Sequence, residues 1–157
     1  NYAVDDNERP IFYKKVVETV VHEFCHSFTK IKGDTEKALE KSGKALQEYT
    51  YFSMRRQAYS TWRNILEESL VRAATICYLI DHDYDEKDIR NAIIEQVDRN
   101  FFWMPELVQT LRYYESHRKK YPTFTSFYPE IIRFFDRYVT NMEKEMKNLM
   151  YILIGII

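Results

Sequence analysis

The sequence is poor in glycine and proline, with three Gly and four Pro among 157 residues. An all-β chain needs many turns rich in these residues, so their scarcity argues against that class. There are only two cysteines, Cys25 and Cys77, and two cannot form the disulfide framework of a small secreted scaffold. We interpret both as buried free thiols, so cysteine usage does not indicate a cellular compartment.

The sequence also lacks an excess of one charge and a long apolar run. Lys and Arg number 23 against 24 for Asp and Glu, which gives a net charge of -1 and no reason to expect nucleic acid as a partner. The apolar stretch YILIGII has seven residues, whereas a membrane span needs ~20. Hydrophobic residues make up 45% of the chain, and we predict one globular domain over residues 1–157.

Helical periodicity dominates the chain, and we predict a mainly α fold with five or six helices. The first helix is predicted over 11–31, where Gly33 and Asp34 break the pattern. The later helices are predicted over 35–49, 53–81, 85–100, 105–120 and 128–150. Asp34 fits the N-cap of the second helix, and Pro105 fits the first turn of the fifth.

Residues 22–26 read His-Glu-Phe-Cys-His, which is the HExxH pattern. On a helix, His22 and His26 lie on one face, so both imidazoles can reach one metal ion. Glu23 is rotated by ~100° from His22 about the helix axis, which places its carboxylate beside the open position of the metal. A general base must lie there to take a proton from zinc-bound water. The pattern therefore predicts a Zn2+ site in a metal-dependent hydrolase.

The motif does not supply a third ligand, because Thr29 and Lys32 occupy the Gly and His positions of its longer form. A wheel of the helix predicted over 53–81 places Glu67 on a charged, solvated side and Glu68 on a mostly uncharged polar side. We therefore favour Glu68 as the ligand, with a structural Glu68–Arg72 pair as the alternative. The wheel takes Leu66, Leu70, Ala73 and Cys77 as the stripe that faces the core. The candidates for the third ligand in the rest of the chain are Glu67, Glu68, Asp81, His82 and His117.

Two further predictions concern the rest of the site. Apolar residues of the first helix fall roughly opposite the two His, and we expect them to pack into the core: Tyr13, Val17, Val20, Val21, Phe24, Phe28 and Ile31. A hydrolase of this kind also needs a donor that stabilises the oxyanion. Tyr114, His117 and Arg72 are the candidates, with ordinary packing or surface exposure as the alternative for each.

The segments VVHEFCHSF and NILEESLVRA resemble the gluzincin arrangement, in which a Glu on a second helix completes a His/His/Glu site. Together with WMPELVQTL, YYESHRKKYPTF and FYPEIIRFF, they resemble a family of uncharacterised, predicted secreted bacterial proteins over about residues 2–138. The resemblance implies a zincin-like helical domain, zinc ligands at His22, His26 and Glu68, and Glu23 as base. It also implies a secreted, periplasmic or cell-surface location. We expect the β-sheet that flanks the active helix of zincins to lie upstream of Asn1.

The predicted function is zinc-dependent hydrolysis of a peptide bond in a peptide or protein substrate, with Glu23 as general base. One alternative is a non-catalytic zincin-like module that binds peptide or glycan, or serves assembly. An intact Glu23 argues against that alternative, because a structural metal site has no use for a base. The other alternative is metal-dependent hydrolysis of a non-peptide amide, which shares the same chemistry.

Overall fold

A computed structural model of the chain describes residues 3–11, 13–82 and 84–156. Within these ranges the fold is mainly α, which confirms the predicted class, and it has seven helices rather than five or six. They are α1 (Lys14–Cys25), α2 (Gly33–Tyr49), α3 (Tyr51–Arg56), α4 (Trp62–Asp81), α5 (Glu86–Asp98), α6 (Met104–Ser116) and α7 (Phe124–Ile156). Two short antiparallel strands, β1 (Ala3–Val4) and β2 (Pro10–Ile11), precede the helices. Phe12, which belongs to the predicted first helix, lies outside the described residues.

The centre of the fold is α4, which contacts α1, α2, α5 and α6. Its predicted inner stripe of Leu66, Leu70, Ala73 and Cys77 is buried, as expected from the sequence. Helices α2 and α6 also pack on α7, and large buried aromatic rings belong to the same core: Phe101, Trp103, Phe127, Phe134 and Phe135. Ile89 and Ile93 of α5 pack against this core as well.

The helix predicted over 53–81 is in fact two helices, α3 and α4. Ala58 has a left-handed backbone with a φ of 67°, and the N–H of Tyr59 donates to the carbonyl oxygen of Met54 at 2.9 Å. This is the hydrogen bond of a Schellman-type helix end. Thr61 then caps α4, because its hydroxyl accepts a hydrogen bond from the N–H of Asn64 at 3.2 Å. The break leaves Tyr59 between the two helices.

Helix α1 is shorter than predicted, because it ends at Cys25 and not at Ile31. His26 follows as the C-cap residue and keeps helical backbone angles. The hydroxyl of Thr29 donates to the carbonyl oxygen of Cys25 at 3.2 Å, and the N–H of Ile31 donates to the Glu67 carboxylate at 2.9 Å. These bonds satisfy backbone groups that a longer helix would have paired internally.

The apolar stripe of α1 does not pack into the core, so that prediction is wrong. Val20 is 57% exposed and Phe24 is 70% exposed, although Ile31 is buried. The helix contacts α4, and its buried residue is Cys25, while Thr29 is buried in the segment after the helix. Hydrophobic periodicity shows that a helix has an apolar side, but it does not show which neighbour that side meets.

The starts of α2 and α6 test the two capping predictions. Lys32, and not Asp34, is the N-cap residue of α2, and Gly33 begins the helix with a φ of 59°. Asp34 instead lies in the first turn, where a carboxylate still interacts favourably with the helix dipole. Pro105 lies in the first turn of α6, as predicted.

Helix α7 begins at Phe124, before the predicted start at residue 128, and contains Pro129. Its side chains are exposed over residues 143–155, including the apolar Met146 and Leu149. Among the helices described, none is both long and apolar enough to cross a membrane.

Candidate metal centre

Helices α1 and α4 bring His22, His26 and Glu68 together. Nε2 of His22 lies 3.4 Å from Oε1 of Glu68, and Nε2 of His26 lies 3.7 Å from Oε2. The two imidazole rings are centred 5.1 Å apart at an angle of 81°. Glu23 is exposed beside them, and one potential metal-binding atom each of His22, Glu23 and His26 lies within 4.8 Å of the others. The three motif side chains therefore form one cluster, and Glu68 approaches the two His of that cluster from α4.

The spacing and the chemistry of these groups fit a zinc ion. Zinc binds imidazole nitrogen and carboxylate oxygen at ~2.0–2.2 Å, so tetrahedral coordination separates two ligand atoms by roughly 3.3–3.5 Å. The separation between Nε2 of His22 and Oε1 of Glu68, 3.4 Å, matches that value, and Nε2 of His26 lies 3.7 Å from the other oxygen, Oε2. The Glu68 side chain is only 9% exposed, and Arg72 already provides a positive charge 2.8 Å from this buried carboxylate. His22, His26 and Glu68 are thus suited to hold the ion, which leaves Glu23 free.

Burial shifts the protonation of His22 toward the form that binds metals. It lowers the pKa of His22 from its ordinary value, and the positive charge of Arg72 acts in the same direction. The carboxylate of Glu68 opposes this shift, because it favours the imidazolium. Burial is the largest contribution, so the net effect favours the neutral imidazole.

A second layer of polar groups surrounds Glu68. Nε of Arg72 lies 2.8 Å from Oε1 of Glu68, while Nη1 donates to Oε1 of Gln96 at 2.5 Å and Nη2 donates to the Tyr59 hydroxyl at 3.0 Å. Burial raises the pKa of Tyr59, so this hydroxyl keeps its proton. The Glu68–Arg72 pair considered as an alternative therefore exists, and it coexists with the approach of Glu68 to both His.

Glu67 does not lie on a solvated side, contrary to the prediction. Its side chain is 13% exposed and lies 3.3 Å from Nζ of Lys30, and it accepts the hydrogen bond from the N–H of Ile31. The hydroxyl of Tyr128 donates to the carbonyl oxygen of Lys30 at 3.1 Å. Both contacts hold the segment that follows His26, so Glu67 stabilises the backbone next to a predicted ligand.

A cleft of about 620 Å³ lies on the other side of α1. Its lining is mostly apolar and includes Val21, Phe24, Cys25, Cys77, Leu111 and Tyr114. Phe24 projects opposite the two His by the ~100° step of a helix. Among the described residues that line this cleft, none is His22, Glu23, His26 or Glu68. The cleft and the candidate metal site are therefore separate surfaces.

Tyr114 and His117 make their contacts away from the converging side chains. The Tyr114 ring lines the cleft and packs against Phe127, with ring centroids 5.0 Å apart. His117 is exposed, and its Nδ1 lies 2.9 Å from the carbonyl oxygen of Tyr113. Their role in oxyanion stabilisation stays a prediction. Of the three oxyanion candidates, Arg72 is the one that contacts Glu68.

The remaining candidates for the third ligand have partners of their own. Asp81 accepts a hydrogen bond from Nη1 of Arg112 at 2.5 Å. The ring of His82 stacks on Tyr78 with centroids 3.7 Å apart, and its Nδ1 lies 2.8 Å from the carbonyl oxygen of Tyr78. Of the five candidates, Glu68 is the one with a pairing shorter than 4 Å to both motif His.

Tyr59 and Gln96 reach the site but were not among the candidates from the sequence. Gln96 is 8% exposed and continues the helical spacing of the partly buried residues Ile89 and Ile93 on the inner side of α5. A polar residue at such a position was a usable signal, since buried polar groups need partners. Tyr59 lies in an irregular segment, where no periodicity indicates the direction of a side chain.

Comparison with known proteins identifies a family. The family model described as Domain of unknown function (DUF4932) matches residues 6–134, which is most of the chain. No curated protein and no solved structure matches the sequence. The resemblance to an uncharacterised family is thereby confirmed, while the zinc chemistry depends on the site's own residues.

Proposed function

The chain belongs to the DUF4932 family, a domain of unknown function, and we propose that it is a zinc-dependent hydrolase that cleaves peptide bonds. The observation that carries the proposal is the convergence of His22, His26 and Glu68 beside an exposed Glu23. A structural zinc site is usually closed by four protein ligands, whereas a catalytic site keeps one position open. Three ligands with a free carboxylate beside them match the catalytic kind.

In this mechanism His22 and His26 would hold zinc through Nε2, and Glu68 through a carboxylate oxygen. Zinc bound there would supply a water of lowered pKa and would polarise the scissile carbonyl. Glu23 would accept a proton from the attacking water as the water oxygen bonds to the carbonyl carbon. As the C–N bond breaks, the same carboxyl group would donate that proton to the leaving amine nitrogen.

The decisive variant is Glu23→Gln, which keeps the shape of the side chain but removes the base. We expect the zinc content of this variant, measured by elemental analysis, to equal that of the wild type. Cleavage of a peptide library, followed by mass spectrometry, should fall by ~10²–10⁴-fold. Wild-type cleavage rates in Glu23→Gln would refute the mechanism.

Two further variants separate loss of the base from loss of the metal. His22→Ala should lose zinc itself, since two remaining ligands hold the ion poorly. Glu18→Gln is the matched control, because Glu18 is the other acidic residue of α1 and leaves the motif intact. We expect it to keep both zinc and activity. If His22→Ala retained zinc at the wild-type level, the assigned ligand set would be wrong.

A binding module without catalysis is the second candidate. The observation that favours it is the apolar cleft on the other side of α1, where Val20 and Phe24 are exposed. Such a module would bind zinc or peptide but cleave nothing in a broad panel. The panel should contain acylated amino acids as well as peptides, because a hydrolase of non-peptide amides would be missed otherwise. A secreted, periplasmic or cell-surface location stays a prediction from the sequence resemblance.

A further inference from the structure

Arg72 contacts polar groups from three parts of the chain. Its Nε lies 2.8 Å from Oε1 of Glu68, one turn earlier on the same helix. Its Nη1 donates to Gln96 of α5 at 2.5 Å, and its Nη2 donates to Tyr59, before α4, at 3.0 Å. The side chain is only 13% exposed. The position of the guanidinium is therefore set by groups outside α4.

The orientation of Glu68 depends on this guanidinium. A glutamate side chain rotates about several bonds, so a helix alone does not fix where its oxygens point. Oε1 lies between Arg72 and His22, and Oε2 faces His26. The Nε–Oε1 contact is an ion pair, and Nε of Arg72 makes no hydrogen bond within the described residues, so the charge and position of the guanidinium act on the carboxylate. A guanidinium held in place by Gln96 and Tyr59 thus restrains Oε1 of Glu68 beside His22.

We propose that Arg72 is a positioning residue that orients the Glu68 carboxylate for metal binding, an inference that rests on the proposed zinc site. Charge and positioning predict opposite effects on zinc affinity. Arg72 is a cation beside the site of a dication, so on charge alone its removal should tighten zinc binding. Positioning predicts weaker binding instead, because loss of a group that orients a metal ligand typically costs ~10–100-fold in affinity.

The zinc affinity of the whole chain, measured by competition with a chromogenic chelator at constant pH, tests the direction of the effect. We expect Arg72→Gln and Arg72→Lys to bind zinc ~10–100-fold more weakly than the wild type. Lys keeps the charge but cannot make all three contacts at once, so it should not rescue the affinity. Arg63→Gln is the matched control, because Arg63 lies on the same helix and pairs with Glu36 at the surface. It should bind zinc like the wild type.

Binding of Co2+ gives a second readout that does not involve activity, because its visible absorption reports ligand geometry. We expect the absorption band of the Arg72 variants to differ in position and intensity from that of the wild type. Gln96→Leu removes a partner of Arg72 without touching Glu68, so it should change the band and the zinc affinity less, in the same direction. This variant keeps the test decisive if circular dichroism shows that the Arg72 variants do not fold.

The outcomes separate this inference from the proposed function. If the wild type binds zinc and the Arg72 variants bind it equally or more tightly, the positioning role is overturned and the zinc site stands. If the wild type binds neither zinc nor Co2+, both the zinc site and the role of Arg72 are overturned. Weaker zinc binding in both Arg72 variants, with an unchanged Arg63→Gln control, supports the positioning role.

Discussion

Glu67→Ala should destabilise the fold, although Glu67 is not one of the predicted ligands. Its carboxylate accepts a hydrogen bond from the N–H of Ile31 at 2.9 Å and lies 3.3 Å from Nζ of Lys30, with 13% of the side chain exposed. A hydrogen bond to a charged group contributes ~1.5–3 kcal/mol, and its loss leaves the Ile31 N–H without this partner. The higher helix propensity of Ala offsets about 0.4 kcal/mol of this loss. We therefore expect the free energy of unfolding to fall by ~1–3 kcal/mol.

Thermal unfolding followed by circular dichroism, in the presence of a chelator, measures this effect without a contribution from bound metal. In a chain of this length, 1 kcal/mol corresponds to ~2–4 °C in Tm, so Glu67→Ala should lower Tm by ~2–12 °C. Glu67→Gln keeps a hydrogen-bond acceptor for the Ile31 N–H, so it should lower Tm by less than Glu67→Ala does. Glu40→Ala, which removes an exposed pair with Lys44, is the control and should change stability by under ~0.5 kcal/mol. If Glu67→Ala matches this control, Glu67 is a solvated surface residue and the reasoning fails.

Two other predictions concern buried positions. A Cβ at Gly43 would lie 2.5 Å from Cε3 of Trp62, so Gly43→Ala should lower the free energy of unfolding by ~1 kcal/mol despite its better helix propensity. In a protein that already carries Trp62→Ala, Gly43→Ala should instead raise the free energy of unfolding. If Gly43→Ala stabilised the protein with and without Trp62, the predicted clash would be refuted. Cys25 and Cys77 are buried, and burial raises the pKa of both thiols. Neither should react with a thiol reagent at about pH 8 in the folded protein, and rapid labelling without denaturant would contradict this.

The HExxH part of the site could be predicted because it depends on local geometry alone. His22 and His26 share a face on any helix, whatever the helix packs against. The choice of Glu68 over Glu67 followed only in part from local geometry, since the ~100° step separates the two side chains, but the solvated side assigned to Glu67 was wrong and the family resemblance also favoured Glu68. The surroundings of Glu67 could not be predicted in this way, because its partner Ile31 comes from 36 residues earlier in the chain.

The ends of the helices were predicted less well than their existence, and two segments show why. The end of α1 depends on the bond from Ile31 to Glu67, which no local pattern contains. The break before α4 has a local signal in Thr61, a good N-cap residue, but the preceding stop uses Ala58 with a φ of 67°. A left-handed backbone at a helix end is typical of Gly, so an Ala at this position does not indicate that the helix ends there.

Two consecutive glutamates of α4 contact α1 and the segment after it in different ways. Glu68 meets the side chains of His22 and His26, and Glu67 accepts the backbone N–H of Ile31. Because adjacent helical residues point ~100° apart, these two contacts hold α1 and the segment after it from two directions. The imidazoles are thus placed against α4, and Arg72, which Gln96 and Tyr59 hold, contacts Glu68 from the other side. The proposed zinc site predicts that the isolated chain binds zinc, and zinc titration tests that prediction directly.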